Sequence, residues 1–114
     1  MHAEAKALAS TANNDINVIP VSTVKIVEDE VWLFDYFFNK TRAYIKKNSK
    51  VSLAFWSGLK GFQMKANATY LLQGEKFEKA KKWISKIHPN RTLVGLVILT
   101  PTYIFDISIH KKSL

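Results

Sequence analysis

Residues 62–72 carry the clearest pattern in the chain. Phe62, Met64, Ala66, Ala68, Tyr70 and Leu72 alternate with Gln63, Lys65, Asn67 and Thr69. Period two with one apolar and one polar row predicts an antiparallel strand packed on one side only. Val51 to Trp56 alternates in the same way, and Ser57-Gly58-Leu59-Lys60-Gly61 supplies turn residues between the two. Ile16 to Val27 is rich in β-branched residues, with Pro20 restricted to an edge, a bulge or a position without a ladder partner. Glu28-Asp29-Glu30 reads as a tight turn that returns the chain through Val31 to Phe34, giving a hairpin. Asn13-Asn14-Asp15 is another turn signal, because Asn and Asp tolerate left-handed backbone. Leu93 to Leu99 and Tyr103 to Ile109 read as two strands parted by Thr100-Pro101-Thr102. Residues 5–12 are small and weakly patterned, and read as a short helix end leading into a first strand.

Two segments change to helical period. In Glu75 to Ile87, Phe77, Ala80, Ile84 and Ile87 recur at helical spacing, with Glu75 and Lys86 placed to suit the dipole. Thr41 to Asn48 predicts a shorter helix, with Tyr44 and Ile45 inward and Arg42, Lys46 and Lys47 outward. Asn39 or Thr41 is the expected cap of a helix beginning near Arg42. Six or seven strands, mostly joined by short turns, with two short helices, define a mainly β (α+β) chain. An antiparallel barrel fits better than a doubly wound sheet. No repeat or linker divides the 114 residues, so residues 1–114 are read as one domain.

Composition narrows the chemistry. Apolar residues make up 47 %, enough for a core, and there is no cysteine to form disulfides or thiolate metal sites. The formal charge of +8 favours anionic partners: nucleic acid, phosphorylated ligands or a membrane surface. Lys76, Lys79, Lys81, Lys82 and Lys86 all fall in one helix, however, where they also serve solubility. No secretory signal is visible at Met1 to Lys6, so none is expected, and the longest apolar run, Leu93 to Leu99, is too short to span a bilayer. A soluble, cytoplasmic protein is expected.

Catalytic constellations are scarce. His2, His88 and His110 stand apart from one another and from carboxylates, so no metal site is expected. No serine has a nucleophile-elbow context, and glycine-rich nucleotide loops are absent. The stretch Leu33 to Arg42 remains: aromatics, a bend, then a helix start flanked by Lys40 and Arg42. Such a stretch suits a flat ring joined to a phosphate, since a helix N-terminus offers free N–H donors and partial positive charge. Any reaction would draw its reactive group from a bound cofactor. The rival reading is a basic β-barrel for single-stranded nucleic acid. It is less favoured, because Phe62 and Tyr70 fall on the core row with Met64.

Three ordered stretches resemble the FMN-binding split-barrel family, the proteins similar to pyridoxamine 5'-phosphate oxidase. Asn17-Val18-Ile19-Pro20-Val21-Ser22 resembles the family's second strand. Asn39-Lys40-Thr41-Arg42, Ile45 and Asn48 to Leu53 resemble its "NKTRxNLxxNPKVAL" helix and strand. Gly61-Phe62-Gln63-Met64-Lys65 resembles its "GYQLKG" strand, and Glu75 to Glu78 the acidic opening of the next helix. The resemblance implies a six-stranded split barrel that dimerises and holds FMN at the subunit interface. Deazaflavin and heme are the less favoured cofactors, and a member holding none is the bland alternative. It further implies a flavin ring along Pro20, Val21 and Ser22 and against Phe34, Asp35 and Tyr36. The phosphate would sit at Asn39, Lys40 and Thr41. Gln63 would reach the ring or ribityl chain, and Lys65 would help with the phosphate. The implied role is electron or hydride transfer with a small-molecule or protein redox partner. Lys40-Thr41 stands where the oxidase proper has a basic pair, Ala66 replaces a family glycine, and the chain ends at Leu114 without the oxidase's arginine-bearing substrate segment. Oxidation of pyridoxamine phosphate itself is therefore not expected.

Overall fold

The structure, a computed structural model, describes residues 3–109. Its elements run β1 (Ala5–Ala12), β2 (Asp15–Pro20), β3 (Val24–Val27), β4 (Glu30–Asp35), α1 (Asn39–Lys47), β5 (Lys50–Ser57), β6 (Lys60–Leu71), α2 (Glu75–Ile87) and β7 (Gly95–Asp106). The strands form one antiparallel sheet in the order β2-β1-β5-β6-β7-β4-β3. This is the mainly β split-barrel architecture expected, with two helices. His2 and the tail from His110 lie outside the described residues.

Three sequence expectations need correction. Residues 5–12 form a strand, not a helix end. Leu8, Ser10 and Ala12 point into the core while Ala7, Ala9 and Thr11 point out, and β2 and β5 pair with the two edges of this strand. Small side chains blunt the alternation, and pairing on both sides overrides the weak local preference. The two strands expected at the C-terminal end are one, β7. Its register against β6 shifts between Lys65 and Ala66, where Lys65 faces Tyr103 and Ala66 faces Pro101. A bulge there accommodates the proline, which has no N–H for the ladder. Phe62 and Leu72, expected in the core, are exposed at the two ends of the alternating stretch. Phe62 stacks on Phe55 with ring centroids 5.7 Å apart.

The turns follow their sequence. Asn13 and Asn14 both have positive φ, at 52° and 63°, which gives the two-residue β1–β2 hairpin a type I′ turn. Strand β4 is buried on both faces. Val31 and Leu33 enter the barrel core with Leu8, Leu53, Met64 and Leu99. Trp32 and Phe34 enter a second core, against Phe77, Ala80 and Ile84 of α2. This double burial explains why residues 31–34 read as an unbroken apolar run. Ile87 was expected to face inward on α2 but is largely exposed. Trp83 packs instead, its ring 5.1 Å from that of Phe34 and beneath Lys25 Nζ at 4.3 Å. No helix among the described residues is long and apolar enough to cross a membrane.

One glycine is demanded by packing. A Cβ on Gly95 would lie 2.1 Å from Tyr70 Oη and 2.3 Å from its Cζ. Gly95→Ala is therefore expected to displace the Tyr70 ring and to cost about 1–3 kcal/mol, the usual range for overpacking. Urea denaturation measures this, and an unchanged midpoint would contradict the close contact.

Candidate functional site

The bend after β4 is organised by Asp35, which is fully buried. Its Oδ1 accepts the backbone N–H of Phe38 at 2.5 Å. Its Oδ2 accepts Arg42 Nε at 3.1 Å and also the hydroxyl of Tyr70. A carboxylate can be buried when it is paired and hydrogen-bonded, and here both oxygens are engaged. Arg42, expected to face solvent, is thus turned against the protein. Burial is the largest single influence and opposes the charge on Arg42, but the hydrogen bond and charge of Asp35 together with Tyr70 outweigh it and raise the guanidinium pKa above its usual value.

Helix α1 begins at Asn39, earlier than expected, and neither Asn39 nor Thr41 caps it. The N-cap is Phe38, with no side-chain cap bond. Asp35, three residues upstream, does the tethering by holding the Phe38 amide. The Thr41 side chain is committed elsewhere: it is buried, and its hydroxyl accepts Asn17 Nδ2 at 2.7 Å. The first turn of α1 has no acidic residue. The amides of Asn39, Lys40 and Thr41 have no carbonyl of a preceding helical turn to meet, and the Lys40 side chain is exposed beside them.

These groups open on a cavity of about 510 Å³, within the usual range for small-molecule sites. Pro20, Val21, Ser22 and Phe34 line it, as do Tyr36, Asn39, Lys40 and Thr41. The fold therefore brings eight of the expected site residues together. Asp35 is not on the wall but fixes the bend behind it. Gln63 and Lys65 are elsewhere. They line a second cavity, of about 700 Å³, on the outward face of β1, β5 and β6.

Register defines that outward face. One row across the sheet reads Val18, Ala9, Ser52, Lys65, Tyr103, and the next reads Pro20, Ala7, Ala54, Gln63, Phe105. Val18, Tyr103 and Phe105 are exposed. Gln63 Nε2 donates to Ser52 Oγ at 2.9 Å within it.

Sequence reasoning missed Asn17, Ile19, Phe37 and Phe38, which also line the α1 cavity. Asn17 and Ile19 were legible: period two from Asp15 puts them on one side of β2, facing Ser10 and Leu8. Arg91 was missed too. Its guanidinium lies 5.0 Å from the Tyr36 ring centroid, and Nη1 is 3.5 Å from Ser22 Oγ. No local signal marks it, since the α2–β7 connection brings it there. Among the described residues no cluster of three potential metal ligands occurs.

Comparison with known proteins fits this architecture. The family model for pyridoxamine 5'-phosphate oxidase matches residues 3–108. The chain belongs to the pyridoxamine 5'-phosphate oxidase family. The structure of HupZ from Group A Streptococcus superposes with a TM-score of 0.81 at 20 % identity, covering 91 % of this chain and 85 % of that one. An FMN-binding protein from Syntrophomonas wolfei subsp. wolfei gives 0.79 at 19 % identity, covering 93 % and 78 %. HutZ, the heme storage protein of Vibrio cholerae, gives 0.75 at 13 % identity, covering 91 % and 86 %. At these identities the likeness is one of fold. No protein of curated function matches the sequence.

The Asp35 cluster has a pH signature. Burial, then the bond to Asp35, pushes the Tyr70 phenol well above its ordinary value. The folded chain then keeps a proton that the unfolded chain releases above about pH 10, so stability falls as pH climbs past that point. Wild-type protein is expected to lose stability more steeply between about pH 9.5 and 11 than Tyr70→Phe, as read by urea midpoints. Parallel losses would contradict the assignment.

Proposed function

We propose that this chain binds FMN within a homodimer and uses it for electron or hydride transfer. One observation carries the reading. A single cavity joins apolar walls at Ile19, Val21 and Phe34 to the N-terminus of a helix bearing Lys40. That combination fits both ends of a phosphorylated ring compound: amides and a cation for a dianion, apolar surface for a planar system. When bound, FMN supplies the redox chemistry, and the protein's part is to hold, orient and shelter it. Asn39, Lys40 and Thr41 would hold the phosphate through backbone amides and the lysine ammonium. Asn17, by bonding the Thr41 hydroxyl, would fix the wall beside it. The pairing of an apolar wall with a cationic helix start favours a flavin that carries a phosphate. The FMN-binding neighbour from Syntrophomonas wolfei supports the same choice.

Gln63 and Lys65 take part in this reading only through a second copy. In one chain they are on the outward face, next to exposed Tyr103 and Phe105. A contiguous apolar patch of this kind calls for a cover. A two-fold partner seated there would bring its own α1 cavity to Gln63 and Lys65, completing the site between subunits.

Titration with FMN, followed by quenching of flavin fluorescence, tests the cofactor. Lys40→Ala is expected to weaken binding about ten-fold or more, the loss of one charge-assisted contact. Unchanged affinity would contradict the phosphate assignment. Phe105→Glu is expected to yield monomers by light scattering, and a persistent dimer would exclude the outward face as the interface.

A further inference from the structure

Positive charge is unevenly placed along the chain. From Lys79 to Phe105 there are five lysines and arginines and no aspartate or glutamate. Lys79, Lys81, Lys82 and Lys86 of α2 are exposed, and none has an ion-pair partner among the described residues. Lys76, one turn earlier, is by contrast paired with Glu30. Lys79, Lys82 and Lys86 are spaced three and four apart, so they share one face of the helix with Cβ atoms about 5–6 Å from their neighbours. Such spacings lie inside the Debye length of about 8 Å at physiological salt, so the three fields add. Solubility is served by interspersed charges of both signs, whereas a field of one sign steers a partner.

The same face leads to the α1 cavity. Trp83 is the helical neighbour of both Lys79 and Lys86, and Lys25 Nζ stands 4.3 Å from its ring centroid, adding a cation from β3. Lys25 follows Ser22 by three residues, and Ser22 lines the cavity. Arg91 Nη1 is 3.5 Å from Ser22 Oγ, and its guanidinium is 5.0 Å from the ring centroid of Tyr36, another wall residue. The connection that carries Arg91 is held on both sides, by its own amide on the His88 carbonyl at 3.0 Å and by the Val94 amide on the Asp35 carbonyl at 2.8 Å. A basic ridge therefore runs from α2, by way of Lys25 and Arg91, to residues of the cavity wall.

The surroundings select the kind of anion. Single strands of nucleic acid bind by stacking on free aromatic faces. Trp83, the aromatic of the ridge, is packed on Phe34 at 5.1 Å and covered by Lys25. A bilayer surface takes up the apolar face of a helix, and that face of α2, at Phe77, Ala80 and Ile84, is buried in the second core. Four of the five cations are lysines, hydrated point charges on flexible stems, rather than the forked guanidinium that clamps phosphate. Charges of this type suit the carboxylates of a small, wet, quickly released protein interface.

We propose that the ridge of Lys79, Lys82, Lys86, Lys25 and Arg91 docks an acidic electron-carrier protein beside the α1 cavity. The match to an acidic surface stands on charge alone, while the partner's role as an electron carrier rests on the flavin reading.

The test uses the full chain, with and without FMN, and two acidic probes, a plant-type ferredoxin and a flavodoxin, followed by biolayer interferometry. Saturable binding of at least one carrier is expected. Its association rate should fall about ten-fold or more in Lys82→Glu/Lys86→Glu, with the dissociation rate changed less, and should fall likewise in the wild type between about 0.05 and 0.2 M salt. Lys47→Glu/Lys60→Glu, which changes net charge equally but lies off the ridge, should bind as the wild type does. Urea midpoints show that both variants remain folded. No binding of either carrier, or equal losses in the two variants, overturns the proposal. Tighter binding of a short single-stranded oligonucleotide, or of phosphatidylserine vesicles, overturns it in favour of that partner. If FMN does not bind but a carrier docks in a ridge-dependent way, the docking face stands and the flavin reading alone falls. If FMN binds and neither carrier does, the flavin reading stands and the docking face falls.

Discussion

A single carboxylate, that of Asp35, sets the geometry on which the site depends. It terminates β4, tethers the residue that opens α1, turns Arg42 inward and accepts the Tyr70 hydroxyl from β6. Gly95, directly opposite Asp35 in the ladder, leaves room for the Tyr70 ring. Removing one partner of a buried ion pair typically costs about 3–5 kcal/mol, because the other charge is left uncompensated. Arg42 is 27 % exposed, so the loss here falls toward the lower end. The consequence for function outweighs the stability itself. With its N-cap residue Phe38 tied to Asp35, α1 sets Asn39, Lys40 and Thr41 on the cavity wall without a side-chain cap.

The second constraint is the period-two division of the sheet. Inward rows such as Leu8, Leu53 and Met64 build the barrel core. Outward rows carry small residues, then Gln63 and Lys65, then aromatics on β7. Because β2 ends at Pro20, its outward-facing last residue also lies on the α1 cavity wall. The outward face of the sheet and the α1 cavity therefore meet at one seam. Much of the chain's positive charge is remote from this seam. The lysines of α2 are solvated, apart from Lys76, which pairs with Glu30 at 2.9 Å.

Much of this was legible in the residues. The alternation of residues 62–70, the amphipathic period of residues 75–87 and the asparagine turn fixed three elements by local physics alone. Of the cavity wall, the stretch from Leu33 to Arg42 was legible from its aromatics, bend and cationic helix start, and Pro20 to Ser22 only through an ordered likeness to a family. What failed to show depends on contacts distant in sequence. β1 is a strand because two neighbours pair with it, and Pro101 stays inside β7 because a bulge forms opposite β6. The α1 start is held by Asp35 rather than by Asn39 or Thr41, because a buried carboxylate upstream was available. Arg91 and the separation of Gln63 from Lys40 are likewise products of topology.

The most direct measurement compares the backbone amide spectra of the protein with FMN and with riboflavin, which differ only in the phosphate. The account predicts that the difference is concentrated on Asn39, Lys40 and Thr41, the turn that Asp35 anchors. A difference concentrated instead on the outward face around Lys50 and Lys65, with the α1 amides unmoved, would contradict it.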